Sequence, residues 1–310
     1  MWSGGKGTRL NPLVGSIRGT TFDTSAHYSA LEAQMIKRMG RGIQFQTSYT
    51  YSKCIDYGSA GAIDNFLNSG ASGTVSGELS LFPNLYRRGL CDFDVRQIFV
   101  GNVVWMLPNL HSSSRFVSHT LGGWELNGIF SASSGSPFTP GIGGAPLGSN
   151  TPASRPDRLM GAGCDNPVNP QNANQYIKIN CFTPPVVPSS LVASLPFQCV
   201  PAAAAVGIPN TCMNLFGNVG RNSVIGPGLE NFDAALIKNT YIARVSETFN
   251  VQFRVEMFNV FNRANFQAPN PNDGNSIVLT STGTVAGTGG VLVSTVTPAR
   301  QLQLALKIIW

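Results

Sequence analysis

Arg300-Gln-Leu-Gln-Leu-Ala-Leu-Lys-Ile-Ile-Trp310 alternates polar and apolar side chains and ends on an aromatic residue. Successive side chains of a strand point to opposite faces, so Leu302, Leu304, Leu306, Ile308 and Trp310 share one face, while Gln301, Gln303, Ala305 and Lys307 share the other. One face is suited to hydrocarbon and the other to water. Sandwich strands of soluble proteins alternate too, but they rarely run this long, and the stretch points to a strand of a membrane-spanning barrel.

Composition agrees. Charged residues make up 12% of the 310 positions, against roughly 25% in an average soluble domain, yet no continuous apolar run approaches the ~20 residues of a membrane helix. A helical membrane protein is thereby disfavoured, whereas 34 Gly and 20 Pro suit a β-rich chain with apolar residues spread over alternate positions. The net charge of +6 is dispersed, and no basic stripe calls for nucleic acid. The first ten residues have neither a secretory leader nor a transit-peptide pattern, so the chain reads either as cytoplasmic or as a piece of something longer. Six cysteines favour an oxidising compartment, and with it the piece.

The same alternation recurs along the chain. Residues about 26 to 38 set Leu31, Ala33 and Met35 against Glu32 and Gln34, and a short turn at Arg38–Gly42 leads into a strand at about 42 to 54. There Ile43, Phe45, Thr47, Tyr49 and Tyr51 oppose Gln44, Gln46, Ser48, Thr50 and Ser52. A less regular third strand, about 92 to 106, carries Phe93, Val95, Phe99, Val103 and Trp105 on one side; Gln97 and Ile98 break its pattern. The fourth, about 122 to 134, places Trp124, Leu126, Phe130 and Ala132 against Glu125, Asn127, Ser131 and Ser133. A fifth at about 229 to 242 puts Lys238 on its apolar side, which requires a position near a bilayer edge, because mid-membrane it would cost roughly 2 to 4 kcal/mol. In the sixth, Phe249, Val251, Phe253, Val255 and Met257 alternate with Asn250, Gln252, Arg254 and Glu256. The Phe258–Asn262 stretch then departs from alternation, marking a rim where the following loop folds over the strand end. Each of the seven strands is expected to span about 11 to 16 residues, longer than the usual ~5 or 6 of a globular strand.

Connection lengths alternate as well. Short links at about 39 to 41 and 243 to 246, and a moderate one from Leu107 to about 120, interleave with long ones at about 55 to 91, 135 to 228 and 264 to 299. Short turns on one side and long loops on the other are the asymmetry of outer-membrane barrels, whose short turns face the periplasm. The expected fold is therefore all-β: a partial antiparallel transmembrane β-barrel of about seven long strands. Residues 1–25 would be the remnant of an extracellular loop, 26–134 four strands, 135–228 a long extracellular loop and 229–310 three strands. Seven strands whose ends fall on opposite sides do not close a bacterial barrel, so the chain is expected to be a C-terminal fragment.

Several stretches occur in a telling order: Ser29-Ala-Leu-Glu-Ala-Gln34, Ser48-Tyr-Thr-Tyr-Ser-Lys53, Asp92-Phe-Asp-Val-Arg96, Gly217-Asn-Val-Gly-Arg-Asn222, Gly226-Pro-Gly228, Asn231-Phe-Asp233, Glu256-Met-Phe-Asn-Val-Phe-Asn262 and Arg300-Gln-Leu-Gln303. Together they resemble the C-terminal barrel of Oar-like TonB-dependent outer-membrane receptors. The resemblance implies a barrel of about 22 strands around an N-terminal plug, preceded by a carboxypeptidase-regulatory-like domain and a signal peptide. It also implies import of a ligand, with outer-membrane lipid, the plug and upstream strands, the TonB complex and the barrel-assembly machinery as partners. No plug or TonB-engaging segment is visible in these 310 residues, and TonB would be reached only through an N-terminal part lying outside them. Leu306, Ile308 and Trp310 resemble the C-terminal signal read by the assembly machinery, with Trp in a place the family usually gives to Phe.

Tyr49, Tyr51, Trp105, Trp124 and Trp310 are candidates for aromatic girdles at the headgroup level; the plainer alternative is ordinary apolar strand positions. Gln252, Arg254, Glu256, Gln301 and Gln303 would line the lumen or contact the plug, or simply solvate a polar interior. Cys54 and Cys91 bracket the first long loop and lie within reach of a bridge; Cys164 with Cys181 and Cys199 with Cys212 are the nearest neighbours of the second, where three pairings remain open. Their spacings are not those of zinc sites.

Chemistry that would make an enzyme is not legible. His27, His111 and His119 lack ligand-spaced partners; Ser133–Ser136 is no nucleophile elbow; Gly4–Thr8 is no phosphate loop, and Gly141–Gly144 reads as a turn. No cofactor is implied. Three function classes remain: a TonB-dependent importer, a passive pore or adhesion barrel, and a secreted disulfide-bonded β-sandwich whose apolar faces would meet each other. Loop residues Asp64, Asn65, Asp157, Arg158, Asn166 and Asp273 offer polar groups to an unidentified ligand. In isolation the fragment is expected to aggregate, since its unpaired edge strands leave backbone donors that lipid cannot satisfy.

Overall fold

A computed structural model describes residues 25–57, 88–108, 120–143, 155–192 except 162 and 188, 199–202 except 200, 210–270 except 214, 216, 243 and 247, and 274–310. Seven long strands form its frame: β1 (His27–Gly40), β2 (Ile43–Asp56), β3 (Gln97–Met106), β4 (Trp124–Ser133), β5 (Leu229–Tyr241), β6 (Asn250–Phe258) and β7 (Gln301–Ile309). Each pairs antiparallel with the next, so the sheet runs β1 to β7 in chain order, with the short strand Gly89–Leu90 added against the end of β2. Among the described residues β1 and β7 are the edges, and the sheet does not close on itself.

Residues directly opposite each other in adjacent strands share a face, which makes register a test of the alternation. One row reads Ile43, Trp105, Leu126, Leu236, Val255, Leu304; the next reads Phe45, Val103, Gly128, Ala234, Met257, Leu302. Rows on the opposite face read Gln46, Asn102, Ile129, Asp233 and Ser48, Val100, Ser131, Asn231. A one-residue slip in any strand would mix the two sets. Neither face lies over a core: Leu304 keeps 62% and Phe253 39% of their surface exposed on the apolar face, and Ile129 keeps 49% on the other. The Phe253 and Leu304 rows do not meet a second sheet, which is the arrangement the sandwich alternative requires.

The strands are 9 to 14 residues long, somewhat shorter than alternation predicted. The largest difference is in β3, which starts at Gln97 rather than near 92. Its would-be first residues are turned back over the end of β2: the Asp94 carboxylate accepts the Cys54 amide at 2.6 Å, and Cys91 is bonded to Cys54. The β1–β2 link is Arg41-Gly42, both with positive φ (+53° and +79°), the two-residue reversal whose twist suits antiparallel strands. Gly42 is also forced by space, because a Cβ there would lie 2.7 Å from the Met106 carbonyl oxygen of β3.

Among the described residues the contiguous cluster of buried apolar side chains lies outside the seven strands, which bury only Cys54 and Ile237 of their own apolar residues. Phe138, Ile142, Tyr176, Ile177, Met213, Val278 and Leu279 are among its members, drawn from the 135–228 and 264–299 connections. Short ladders tie these segments together: Pro137–Phe138 with Val224–Ile225, Gly141–Ile142 in parallel with Ile277–Leu279, and Asp157–Arg158 with Phe182–Thr183. The described parts of the 135–228 and 264–299 connections thus form a folded cap at one end of the wall. The β1–β2 and β5–β6 ends of the strands, with residues 107–108 and 120–123, lie at the other end.

Candidate functional site

Two surfaces are placed to do something: the polar face of the wall, and the cap above its rim. On the wall, β5 to β7 bring Gln252 opposite Asn239 and Lys307, Arg254 opposite Ile237 and Ala305, Glu256 opposite Ala235 and Gln303, and Phe258 opposite Gln301. All five residues singled out as lumen-facing therefore share the face that avoids Leu304. Arg254 and Glu256 approach to 3.4 Å. Around them Asn127 donates to Glu125 (2.9 Å), Asn231 to Asp233 (2.9 Å), and Asn250 and Gln252 both to Asn239 Oδ1 (3.0 and 2.8 Å). Among the described residues, Oδ1 of Asn127, Oδ1 of Asn231 and Nε of Arg254 are buried and meet no protein partner.

The same face changes character at β3. Ile98, Val100, Val104 and Met106 stand on it, with Ile129 of β4 beside Asn102. Sequence reading missed this apolar strip, because β3 is apolar at both parities; the runs Ile98-Phe99-Val100 and Val103-Val104-Trp105-Met106 carry the signal. A recess of about 190 Å³ at the cap end of this face is lined by Tyr28, Ser52, Phe93, Asp94 and Ile98 among others. It is smaller than the roughly 300 Å³ at which pockets begin to enclose a small-molecule ligand.

On the apolar face, Trp105 ends β3 but for one residue, Trp124 begins β4, and Trp310 follows β7, all at the short-turn end. Tyr49 and Tyr51, opposite Phe99 and Gln97, lie toward the cap. Ile43 to Tyr51 spans about 27 Å along β2 at ~3.4 Å per residue, and tilt brings that near the ~25 Å height of a lipid-facing band. Lys238 lies beside Trp124 with Nζ 5.8 Å from the indole centroid and bonded to the Gly122 carbonyl, at the edge of the wall rather than its middle. Leu306 and Ile308 point to this face, 68% and 51% exposed. Phe261, within the Phe258–Asn262 stretch, stacks on Phe232 at 5.7 Å at the cap-side rim.

The rim itself is tied down by buried polar contacts. Arg221 bonds the Asp56 carboxylate and its carbonyl oxygen (3.0 Å), and comes within 3.4 Å of Asp92. Asn222 donates to Asp92 (2.6 Å) and to the Leu90 carbonyl (2.7 Å). The Gly217–Asn222 motif is thus a clamp joining the cap to the end of β2. The Phe258–Asn262 stretch is a second one: Asn259, at φ +49°, takes the Arg263 amide and donates to the carbonyls of Arg263 and Pro298 (all 2.9 Å), while Asn262 accepts the Arg300 amide (2.9 Å). Three disulfides join Cys54 to Cys91, Cys164 to Cys181 and Cys199 to Cys212, with Cα separations of 5.4, 5.3 and 5.2 Å. Inside the cap, burial pushes the Tyr176 hydroxyl up to about 12; it donates to the Ile225 carbonyl at 2.9 Å.

The cap's candidate ligand groups are engaged in its own construction. Asp157 accepts the amides of Val186 (2.8 Å) and Asn218 (2.7 Å), Arg158 donates to the carbonyls of Cys164 (3.2 Å) and Asp165 (2.6 Å), and Asn166 accepts the Val168 amide (3.1 Å). Asp64, Asn65, Asp273, His111, His119, Gly144, the Gly4–Thr8 stretch and all but the last residue of the 1–25 segment lie outside the described residues. Among the described residues no three His, Cys, Asp or Glu side chains gather to hold a metal ion, and no helix is long and apolar enough to cross a membrane.

A family model described as an outer membrane beta barrel domain matches residues 2–303. No curated protein and no solved structure matches the chain significantly. An all-β, antiparallel sheet with one apolar and one predominantly polar face is what such a domain needs to meet lipid on one side only. The chain belongs to the outer membrane β-barrel domain family and is a protein of the outer membrane.

Proposed function

We propose that this chain is the C-terminal part of the barrel wall of a TonB-dependent, Oar-like receptor, which binds a ligand at its external loops and imports it. In this reading the apolar rows of Leu304 and Phe253 face lipid, and the short turns face the periplasm. The Gln252, Arg254, Glu256, Gln301 and Gln303 face meets a plug or the lumen, and the cap stands outside the cell. Upstream strands pair with the β1 and β7 edges and complete the cylinder. Leu306, Ile308 and Trp310 serve as the signal for the assembly machinery, and TonB is engaged by the N-terminal part of the same receptor. The protein catalyses no reaction.

The observation that carries the reading is the polar face of β5 to β7, where Asn239, Gln252, Arg254, Glu256, Gln301 and Gln303 line up across three strands on the side away from Leu304. A surface of this kind is suited to a polar body seated inside the wall, as a plug is. Planar-bilayer recording of the full gene product tests it. A plugged receptor stays closed and opens only when urea loosens the plug, and in cells it crosslinks to TonB. Steady conductance without denaturant, and no crosslink, would make it a passive pore.

A further inference from the structure

The described charges are unevenly divided between the two ends of the wall. Lys37, Arg38, Arg41, Lys238, Arg244 and Lys307 all fall at the short-turn end. Among the described residues the acidic groups there are Glu125, which lies on the polar face and accepts from Asn127, and the carboxylate of Trp310. Two of the cations belong to the apolar face itself: Lys37 is directly opposite Phe45, and Lys238 is directly opposite Trp124 and Phe253. Arg41 stands at the outermost point of the β1–β2 hairpin in a left-handed conformation (φ +53°) that Gly, Asn and Asp adopt far more readily. Trp105 and Trp124 lie at the same end, where indole rings favour the headgroup level of a bilayer.

We propose that the short-turn end of the wall binds anionic phospholipid headgroups, with Lys37, Arg38 and Arg41 as the cations that meet the lipid phosphates. Continuity selects the partner. These residues border the apolar rows that hydrocarbon covers, so the groups nearest to them in a membrane are the phosphates of the leaflet whose tails contact Ile43, Phe45 and Trp105. Long Lys and Arg stems reach along such a border while their charges stay wet. Each cation near an anionic surface strengthens association about fivefold. In the orientation given under the proposed function this leaflet is the periplasmic one; that assignment rests on that reading, whereas the headgroup contact requires only that the wall stand in a bilayer.

The test is lipid selectivity of the full gene product in vesicles of phosphatidylethanolamine containing a minority of phosphatidylglycerol, read from the immobilised fraction of each spin-labelled lipid. Phosphatidylglycerol is expected to be preferred, and salt to weaken the preference as screening shortens the reach of the charges. Lys37→Gln, Arg38→Gln and Arg41→Gln together should lower the preference at least about fivefold, while Arg38→Lys with Arg41→Lys should keep it. Equal association of the two lipids, or a preference untouched by the three Gln substitutions, would overturn the proposal. So would a preference lost instead with Lys53→Gln and Arg263→Gln at the cap end. Conductance and TonB crosslinking can fail while this selectivity persists, so the two readings fail separately.

Discussion

The wall and the cap use apolar residues in opposite ways. In the wall Leu302, Leu304 and Leu306 stand 62 to 68% exposed in a regular row, and none of the described residues covers them. In the cap Ile142, Val278 and Cys181 are fully buried in segments without periodicity, held by disulfides and by the Arg221 clamp. Lipid is the solvent that stabilises the first arrangement; exclusion of water stabilises the second. The wall therefore depends on its membrane and on neighbouring strands, while the cap carries its own core and covalent ties.

Substitutions should separate the two regions. The largest effect is expected for Arg221→Met, which leaves Asp56 buried without its partner at a cost of about 3 to 5 kcal/mol; limited proteolysis of the protein in membranes should show the cap opening while the strands remain protected. Ile142→Ala should cost about 2 to 5 kcal/mol through the cavity it leaves, whereas Leu304→Ala, facing lipid, should barely alter the folded, heat-modifiable species on a gel. Leu304→Arg, in contrast, should cost roughly 2 to 4 kcal/mol and lower the yield of inserted protein.

Alkaline pH should act on the cap. The Tyr176 pKa is raised above its ordinary value of 10.0 by burial, so its contribution is fully present below pH 10 and is lost as pH climbs toward about 12. Roughly 2 kcal/mol should be gone at pH 12, seen as increased protease sensitivity of residues 155–228, and Tyr176→Phe should flatten the change. The smallest effect is expected for Gly42→Ala, about 1 to 2 kcal/mol plus the displacement of the Met106 carbonyl, read as a lower unfolding midpoint in denaturant.

Sequence resolves the wall far better than the cap for a physical reason. A strand between lipid and water obeys a period of two residue by residue, so Phe253, Val255, Leu304 and Leu306 announce their face without reference to any partner. β3 obscured this because Val100 and Val104 add apolar groups to the polar face, and its start was misplaced because Asp94 and the Cys54–Cys91 bond turn residues 92–96 aside. The cap residues Phe138, Ile142, Val224 and Leu279 are brought together by ladders of two or three residues between segments far apart in the chain, and such pairings leave no local period. Likewise Gly217–Asn222 stood out as a motif, but only the fold reveals that Arg221 and Asn222 grip Asp56, Asp92 and Leu90.

Nitroxide labels placed singly at Phe253, Val255, Leu304, Gln252, Glu256 and Gln303 of the full gene product in bilayers, read by collision with oxygen and with a water-soluble nickel chelate, test the two-faced wall most directly. Labels at Phe253, Val255 and Leu304 are expected to collide with oxygen and be shielded from nickel, and labels at Gln252, Glu256 and Gln303 to do the reverse. Shielding of both rows from both reagents would mean a dry interior on each side of the sheet and would contradict the two-faced wall.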